Sequence, residues 1–454
     1  VSSVAPKTTG PVTTRRAIGL SSLASVVSAL PSFLLSGFAI FLVEHIGLGP
    51  SELGMAIAAF YLGSAVISLP GGRFIRRIGA RRGMITAGTV TLSTLLTIAI
   101  GVRDVPMLVA VMALGGAANG VGQVASNVAL AGSVPSSRQG LAFGLKQASA
   151  PVATLMSGAT IPLIALTVGW RWGFVAGASA ALVLLIGLLR TPGLRGAGEG
   201  APVVEKVNTS ETARTTEDEA GRAKAPAQPE GHGPTLRSLV VIAAGVACAA
   251  AVGMSIVTFY VSSIVGGGVS PRSAGFLLMA GSLSGIVSRT VLGWSADRHE
   301  RGHLAIVSAL LTLGAVGCIA LSYAGSSPAA LLIGTLLGFA CGWGWPGLFF
   351  FAVIRISQGA AARTMSVTQL GMFLGALTGP LAFGRVAAGL SFATAWRGAA
   401  VVAIVGAVLL VVGVRLVGSP KMALIVPSVR PQASTGHDDL EPPRADRDAR
   451  ARRA

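Results

Sequence analysis

Apolar runs of about 20 residues, each long enough to cross a bilayer as a helix, follow one another along the chain with short polar breaks between them. They predict helices at 18–43, 51–71, 83–102, 106–131, 138–166 and 171–189, then at 238–264, 272–294, 303–323, 328–354, 364–385 and 397–417. Two breaks are slight. Only Gly169-Trp170-Arg171 interrupts 138–189, and the stretch from Arg385 to Arg397 divides the last two runs. The expected fold is therefore an all-α polytopic membrane protein of twelve transmembrane helices.

Polar stretches frame these runs and set the expected organisation. Residues 1–17 form a Ser/Thr/Pro-rich N-tail, 18–189 one six-helix bundle, 190–237 a central loop, 238–417 a second bundle and 418–454 a C-tail. The loop carries Pro, Gly and mixed charge, including Glu205, Glu211, Glu217, Asp218 and Glu219, and the tail ends in an Arg/Asp run. None of the three buries enough apolar surface to fold alone, so all read as disordered. Arg15-Arg16 suggests a twin-arginine export signal, yet a full-length apolar run follows without a cleavage site, which favours an uncleaved first span.

Composition agrees with this class. Hydrophobic residues make up 52% of the 454 positions and charged ones 11%, with a mean hydropathy of +0.72. Soluble domains carry about a quarter charged residues. The 61 glycines suit helices that approach closely in lipid. A net charge of +18 would fit nucleic-acid binding, but the basic residues punctuate the gaps between apolar runs instead of clustering on a domain with aromatic platforms. Their distribution orients the chain. With both termini cytoplasmic, the inner segments hold Lys7, Arg15, Arg16, the Arg73–Arg82 cluster, Arg138, the central loop, Arg298, Arg301, Arg355, Arg363 and the C-tail, while the outer loops hold Arg103, Arg171, Arg272, Arg385 and Arg397. Arginine outnumbers lysine and the first residue is Val1, as a GTG start read literally would give, so a bacterial inner membrane is expected. Cys248, Cys318 and Cys341 sit singly in apolar runs, which makes neither a disulfide framework nor a metal site. No cofactor is expected.

An internal repeat sharpens the organisation. Pro50, Gly54, Gly72 and Arg77 recur as Pro271, Gly275, Gly293 and Arg298, each 221 positions later. Gln147 matches Gln369 at 222 and Trp170-Arg171 matches Trp396-Arg397 at 226. An offset this constant implies two pseudo-symmetric six-helix bundles, related by an axis along the membrane normal.

At these residues the chain resembles the major facilitator superfamily, whose basic motif joins helices 2 and 3 and recurs between helices 8 and 9. The second copy here reads Gly293-Trp294-Ser295-Ala296-Asp297-Arg298. The first reads Gly72-Arg73-Phe74-Ile75-Arg76-Arg77-Ile78-Gly79-Ala80-Arg81-Arg82, with Arg76 where the motif has Asp. The resemblance implies a gating role for this Asp through charge and helix-terminus contacts. Arg76 does not supply it, which leaves Asp297, toward Arg138, as the expected latch. A purely positive-inside anchor is the alternative reading, favoured for Arg81 and Arg82.

Two cations stand within the apolar runs. Lys146 lies eight residues into the fifth, roughly 12 Å deep at about 1.5 Å per residue. Arg289 lies four residues before Gly293. A charge at such depth is costly unless it faces water or a partner, and no acidic residue occupies the middle of any run; Glu44 and Glu52 stand at the ends. Both cations are therefore candidate anion ligands, with snorkelling to headgroups as the alternative. In the superfamily helices 5 and 8 face each other, so the resemblance places Lys146 and Arg289 near one substrate. The Arg289 region is similar to that of monocarboxylate and oxalate–formate porters. Gly140 to Gln147 followed by Gly169-Trp170-Arg171-Trp172 is similar to cyanate and nitroimidazole porters. Asn119, Gln123 and Asn127, four residues apart, share one helix face and are read as lining an aqueous path. Trp343 and Trp345 lie mid-run before Pro346, which loosens the backbone there. Tyr260, beside Phe259, and the pair Gln147 and Gln369 complete the candidate set.

A secondary carrier with its site between the bundles is the expected function. No G-x-x-x-x-G-K-[ST] loop is present for nucleotide hydrolysis. The expected cargo is a small anionic organic solute, with a co-transported proton left open. Proton-linked multidrug or metabolite efflux by the same fold, and a non-transporting membrane sensor, are the alternatives; paired carboxylates or a His cluster for a membrane enzyme are missing from the runs. The expected partners are the small-molecule substrate and the lipid bilayer, with no nucleic acid, and the chain is expected to act as a monomer.

Overall fold

The computed structural model describes residues 14–134, 146–191, 234–298, 302–357 and 361–417. Helices account for nearly all of them, because in lipid each segment has to satisfy its own backbone groups. The first six are α1 (Thr14–Ile46), α2 (Pro50–Ile78), α3 (Ala80–Ile100), α4 (Val105–Ser133), α5 (Ser149–Thr160, prolonged by a π-helical turn Ile161–Ala165) and α6 (Trp170–Leu189). The next six are α7 (Leu236–Gly266), α8 (Pro271–Arg298), α9 (His303–Leu321), α10 (Pro328–Leu337 and Pro346–Ile356, with a π-helical Gly338–Gly342 between), α11 (Ala361–Gly389) and α12 (Phe392–Leu416). Among the described residues, eleven spans are long and apolar enough to cross a membrane, and Ser149–Ala165 is a shorter apolar helix.

Several helices reach a turn or more beyond their expected bounds, among them α1, α2, α8, α11 and α12, and side-chain caps fix the starts of some. Asp104 accepts the Met107 N–H at 2.8 Å, and Thr235, Ser327 and Ser391 cap α7, α10 and α12 in the same way. The supposed loop Gly72–Arg82 is helical apart from Gly79, whose φ of 88° turns α2 directly into α3. Arg76 and Arg77 thus lie in the last turn of α2, where cations complement the helix dipole. Arg385 and Arg397 lie inside α11 and α12; the break falls at Leu390 and Ser391. The repeat reaches the backbone itself: Gly47 and Gly268, 221 positions apart, both adopt positive φ, at 68° and 95°.

Arginines separate the two ends of the bundle. Among the described residues Arg15, Arg16, Arg73, Arg76, Arg77, Arg81, Arg82, Arg190, Arg237, Arg355 and Arg415 mark the end where α1 begins, hereafter the basic end. At that end each set of six helices closes its own core. One core joins Ala17, Ala24, Met84, Ala125 and Leu184, the other Ile242, Leu304, Trp345, Phe349 and Leu410. Toward the opposite end a single core runs through both sets, joining Leu35, Phe38, Phe60 and Phe174 with Phe259, Phe339, Phe383 and Trp396. The most extensive cross-set contacts are α2 with α11, α5 with α8 and α1 with α7. Glycine permits them. A Cβ on Gly54 would lie 2.5 Å from the Pro380 oxygen, and one on its repeat partner Gly275 would lie 2.9 Å from the Gly158 oxygen.

Candidate functional site

The break in α10 organises the site. Pro346 has no N–H with which to reach the carbonyl of Gly342, one turn earlier. The Trp345 indole N–H donates to that oxygen instead, at 3.0 Å. Two neighbouring residues of α8 serve the same stretch: Ser288 Oγ donates to the Ala340 oxygen at 2.6 Å and Arg289 Nη2 to the Trp343 oxygen at 2.9 Å. An irregular backbone at membrane depth is tolerated where protein groups satisfy it in this way.

Arg289 has a second partner across the molecule. Its Nη1 donates to the main-chain oxygen of Gln147 at 2.8 Å, and its guanidinium carbon lies 4.8 Å from the centre of the Trp343 ring. The Nε is buried with no hydrogen-bond partner. Trp343 is held in turn by edge contacts with Phe339 and with Phe33 of α1, at 6.2 and 5.9 Å between ring centres. One arginine therefore links α8, α10 and the residue adjoining Lys146.

Lys146 is buried, at 5% exposure. Its Nζ donates to Asn127 Oδ1 at 2.6 Å and to Gln123 Oε1 at 2.9 Å, both on α4. These acceptors are neutral amides. Of the chain's acidic residues, those within described helices are Glu44, Glu52 and Asp297, all in terminal turns. Neither acceptor carries a charge to offset the ammonium.

The polar face of α4 divides. Asn119 is buried between helices: its Nδ2 donates to Ser64 Oγ of α2 at 2.9 Å and its Oδ1 accepts from Ser28 Oγ of α1 at 3.3 Å. It joins helices instead of facing an aqueous path. Gln123, half-buried, donates to Asn119 Oδ1 at 3.4 Å and so connects this anchor to Lys146. Asn127 is the exposed member.

Among the described residues, the side chains of the other candidates bond to neither cation. Trp345 is sealed in the core of the last six helices, against Phe349. Tyr260 is fully buried, with its hydroxyl paired to Thr335 Oγ1 and its ring edge-on to Phe339. Gln147 is exposed, and Gln369 is half-buried beside Met372. Gly72 lies within α2 and Gly293 within α8. Arg138 and the side chains of Asp297 and Arg298 lie outside the described residues, so the expected latch does too. Reading the sequence alone missed Ser288 and Phe33. Ser288 adjoins Arg289, and the Pro346 break that calls for extra donors was a usable signal for it.

At the repeat positions of the two cations stand small hydroxyls. Thr368 donates to the Thr364 oxygen and Ser68 to the Ser64 oxygen, each within its own helix. The cationic character is thus confined to one side of the pseudo-symmetry.

The sequence profile of the Major Facilitator Superfamily matches residues 21–380. Among solved structures, the chain is similar to a crystal structure of a D-xylose-proton symporter, with a TM-score of 0.66 and 15% identity over 87% of this chain and 97% of that one. A partially occluded inward-open conformation of the xylose transporter XylE from E. coli matches with the same TM-score and identity, over 87% and 98%. At such identity the likeness is one of fold. No curated protein matches the chain in sequence.

Proposed function

The chain belongs to the major facilitator superfamily, and from that premise we propose that it is a secondary carrier of a small anionic organic solute, moved by alternating access between two six-helix bundles. That it is a membrane transporter follows from the family; the cargo is our inference. One observation carries it. Arg289 bonds to the residue next to Lys146 across the α5–α8 contact, and among the described residues no acidic residue stands mid-helix to neutralise either cation. A carboxylate arriving from the basic end would find an ammonium just ahead of α5 and a guanidinium on α8, one from each bundle. Its charge would offset theirs, so that the loaded carrier crosses its occluded state with less uncompensated charge.

The broader setting belongs to the same proposal. Both termini face the cytoplasm of a bacterium, the carrier works as a monomer in the inner membrane, and a proton accompanies the solute. A second reading, a neutral polar solute held by Gln123 and Asn127, draws on the amide bonds that already engage Lys146. Uptake of a panel of labelled organic anions and sugars into proteoliposomes separates the two. An anion among the transported solutes, with uptake lost in both Lys146→Ala and Arg289→Ala, is the expected result. Transport of neutral solutes alone, or normal anion uptake by both variants, would overturn the anion reading.

A further inference from the structure

At the basic end, away from the site above, α1 and α6 part to leave a cavity of about 380 Å³, lined by Arg16, Gly19, Leu20, Gly187, Arg190 and Thr191. Glycine makes the room. A Cβ on Gly19 would meet nothing within 4 Å, and Gly187 faces Leu20.

The two arginines are free for a ligand because other donors cap α6. The carbonyl of Ile186 accepts the Arg190 N–H, that of Gly187 the Thr191 hydroxyl, and that of Leu188 the Arg81 Nε at 2.9 Å. Arg81 Nη2 reaches the Leu189 oxygen at 3.4 Å. The negative end of the α6 dipole is thereby occupied, while the exposed guanidiniums of Arg16 and Arg190 have no partner among the described residues. Arg16 stands in the first turn of α1, where the helix dipole also favours an anion. Away from the cavity, α6 presents Leu189, Ile186, Val183 and Leu182 outward, all exposed. A basic cavity continuous with an apolar helix face fits a ligand that has both an anionic head and hydrocarbon tails.

We propose that the cavity between α1 and α6 binds one anionic glycerophospholipid, with its phosphate between Arg16 and Arg190 and its chains along the outer face of α6. The site has no part in holding the solute.

The test uses the full purified chain in detergent, with native mass spectrometry titrations of phosphatidylglycerol, phosphatidylcholine of the same chains, and inorganic phosphate. Arg16→Gln/Arg190→Gln is expected to bind phosphatidylglycerol at least tenfold more weakly than the parent, while Arg415→Gln, which alters the same end elsewhere, binds it as the parent does. Phosphatidylcholine is expected to bind weakly to all three, and a hundredfold excess of inorganic phosphate to leave bound phosphatidylglycerol in place. Unchanged phosphatidylglycerol binding in the double variant overturns the proposal, and displacement by phosphate overturns the lipid in favour of a free-anion site. Gly19→Leu fills the cavity without changing charge. If the double variant does not fold, loss of phosphatidylglycerol binding in Gly19→Leu sustains the proposal and full retention refutes it.

Discussion

Arg289 of α8 donates its Nη1 to the main-chain oxygen of Gln147, 142 positions earlier and next to Lys146. The same guanidinium donates its Nη2 to the broken backbone of α10 at Trp343. Its fork is thus shared between a contact across the two sets of helices and the repair of an irregular helix. Lysine has the charge without the fork, so Arg289→Lys separates the two properties. It leaves one carbonyl without its donor, at a cost of about 1–3 kcal/mol. Proteoliposome uptake is expected to fall about tenfold or more, with a melting temperature a few degrees lower. Full uptake by Arg289→Lys would mean that charge alone suffices.

Lys146 binds Gln123 and Asn127, and each of the three depends on the others. Gln123→Leu deprives a buried ammonium of an acceptor and is expected to lower the melting temperature. Lys146→Met removes the charge itself, so it should fold as stably as the parent, or more so, yet take up no solute. In the double variant the loss from Gln123→Leu should largely disappear, with a coupling of about 0.5–3 kcal/mol. Additive losses in this cycle would show that the two side chains act independently.

Gly54 and Gly275 hold the end opposite the arginines closed, through backbone contact with Pro380 and with Gly158. Valine at either position pushes a helix away from its partner, because Gly54 faces main-chain atoms and Gly275 the rigid Pro162 ring and the Gly158 oxygen, which do not yield. Hydrogen exchange across 50–60 and 380–390 is expected to rise several-fold in Gly54→Val, and solute uptake to fall. Parent-like exchange in that variant would place the closing contacts elsewhere.

Arg81 and Arg82 are neighbours with different fates. Arg81 caps the carbonyls of Leu188 and Leu189, whereas Arg82 is exposed and donates no hydrogen bond to that helix end. A cation at a helix C-terminus contributes about 0.3–1 kcal/mol, so Arg81→Gln should lower the melting temperature by about a degree or two, and Arg82→Gln should leave it unchanged. Equal shifts in the two would reduce both residues to general basic charge.

Much of the fold was legible in the sequence because crossing a bilayer is a local property. A run such as 236–266 satisfies its own backbone and exposes apolar atoms whatever its neighbours do. Turn positions were partly legible too, since glycines at 47 and 268 repeat in sequence and in backbone conformation. The candidate site was legible by residue type only. Lys146 and Arg289 stood out because charge is rare in apolar runs; the structure bonds Arg289 to the main chain of Gln147, the residue after Lys146. Trp345 stood out equally and is a core residue whose indole mends a proline break. Asn119 joins three helices at a point where a spacing of four suggested an open path.

Sequence by itself determined that the chain spans a membrane repeatedly, that it is a duplicated array, and that its two cations within apolar runs have no acidic residue at their depth. Tertiary structure decided which polar groups meet. Periodicity specifies a face of a helix but not its rotation toward a neighbour, and that rotation comes from close packing at glycines such as 54, 158 and 275. The Arg289–Gln147 bond exists because those contacts bring α5 against α8, and a single apolar run contains no trace of it.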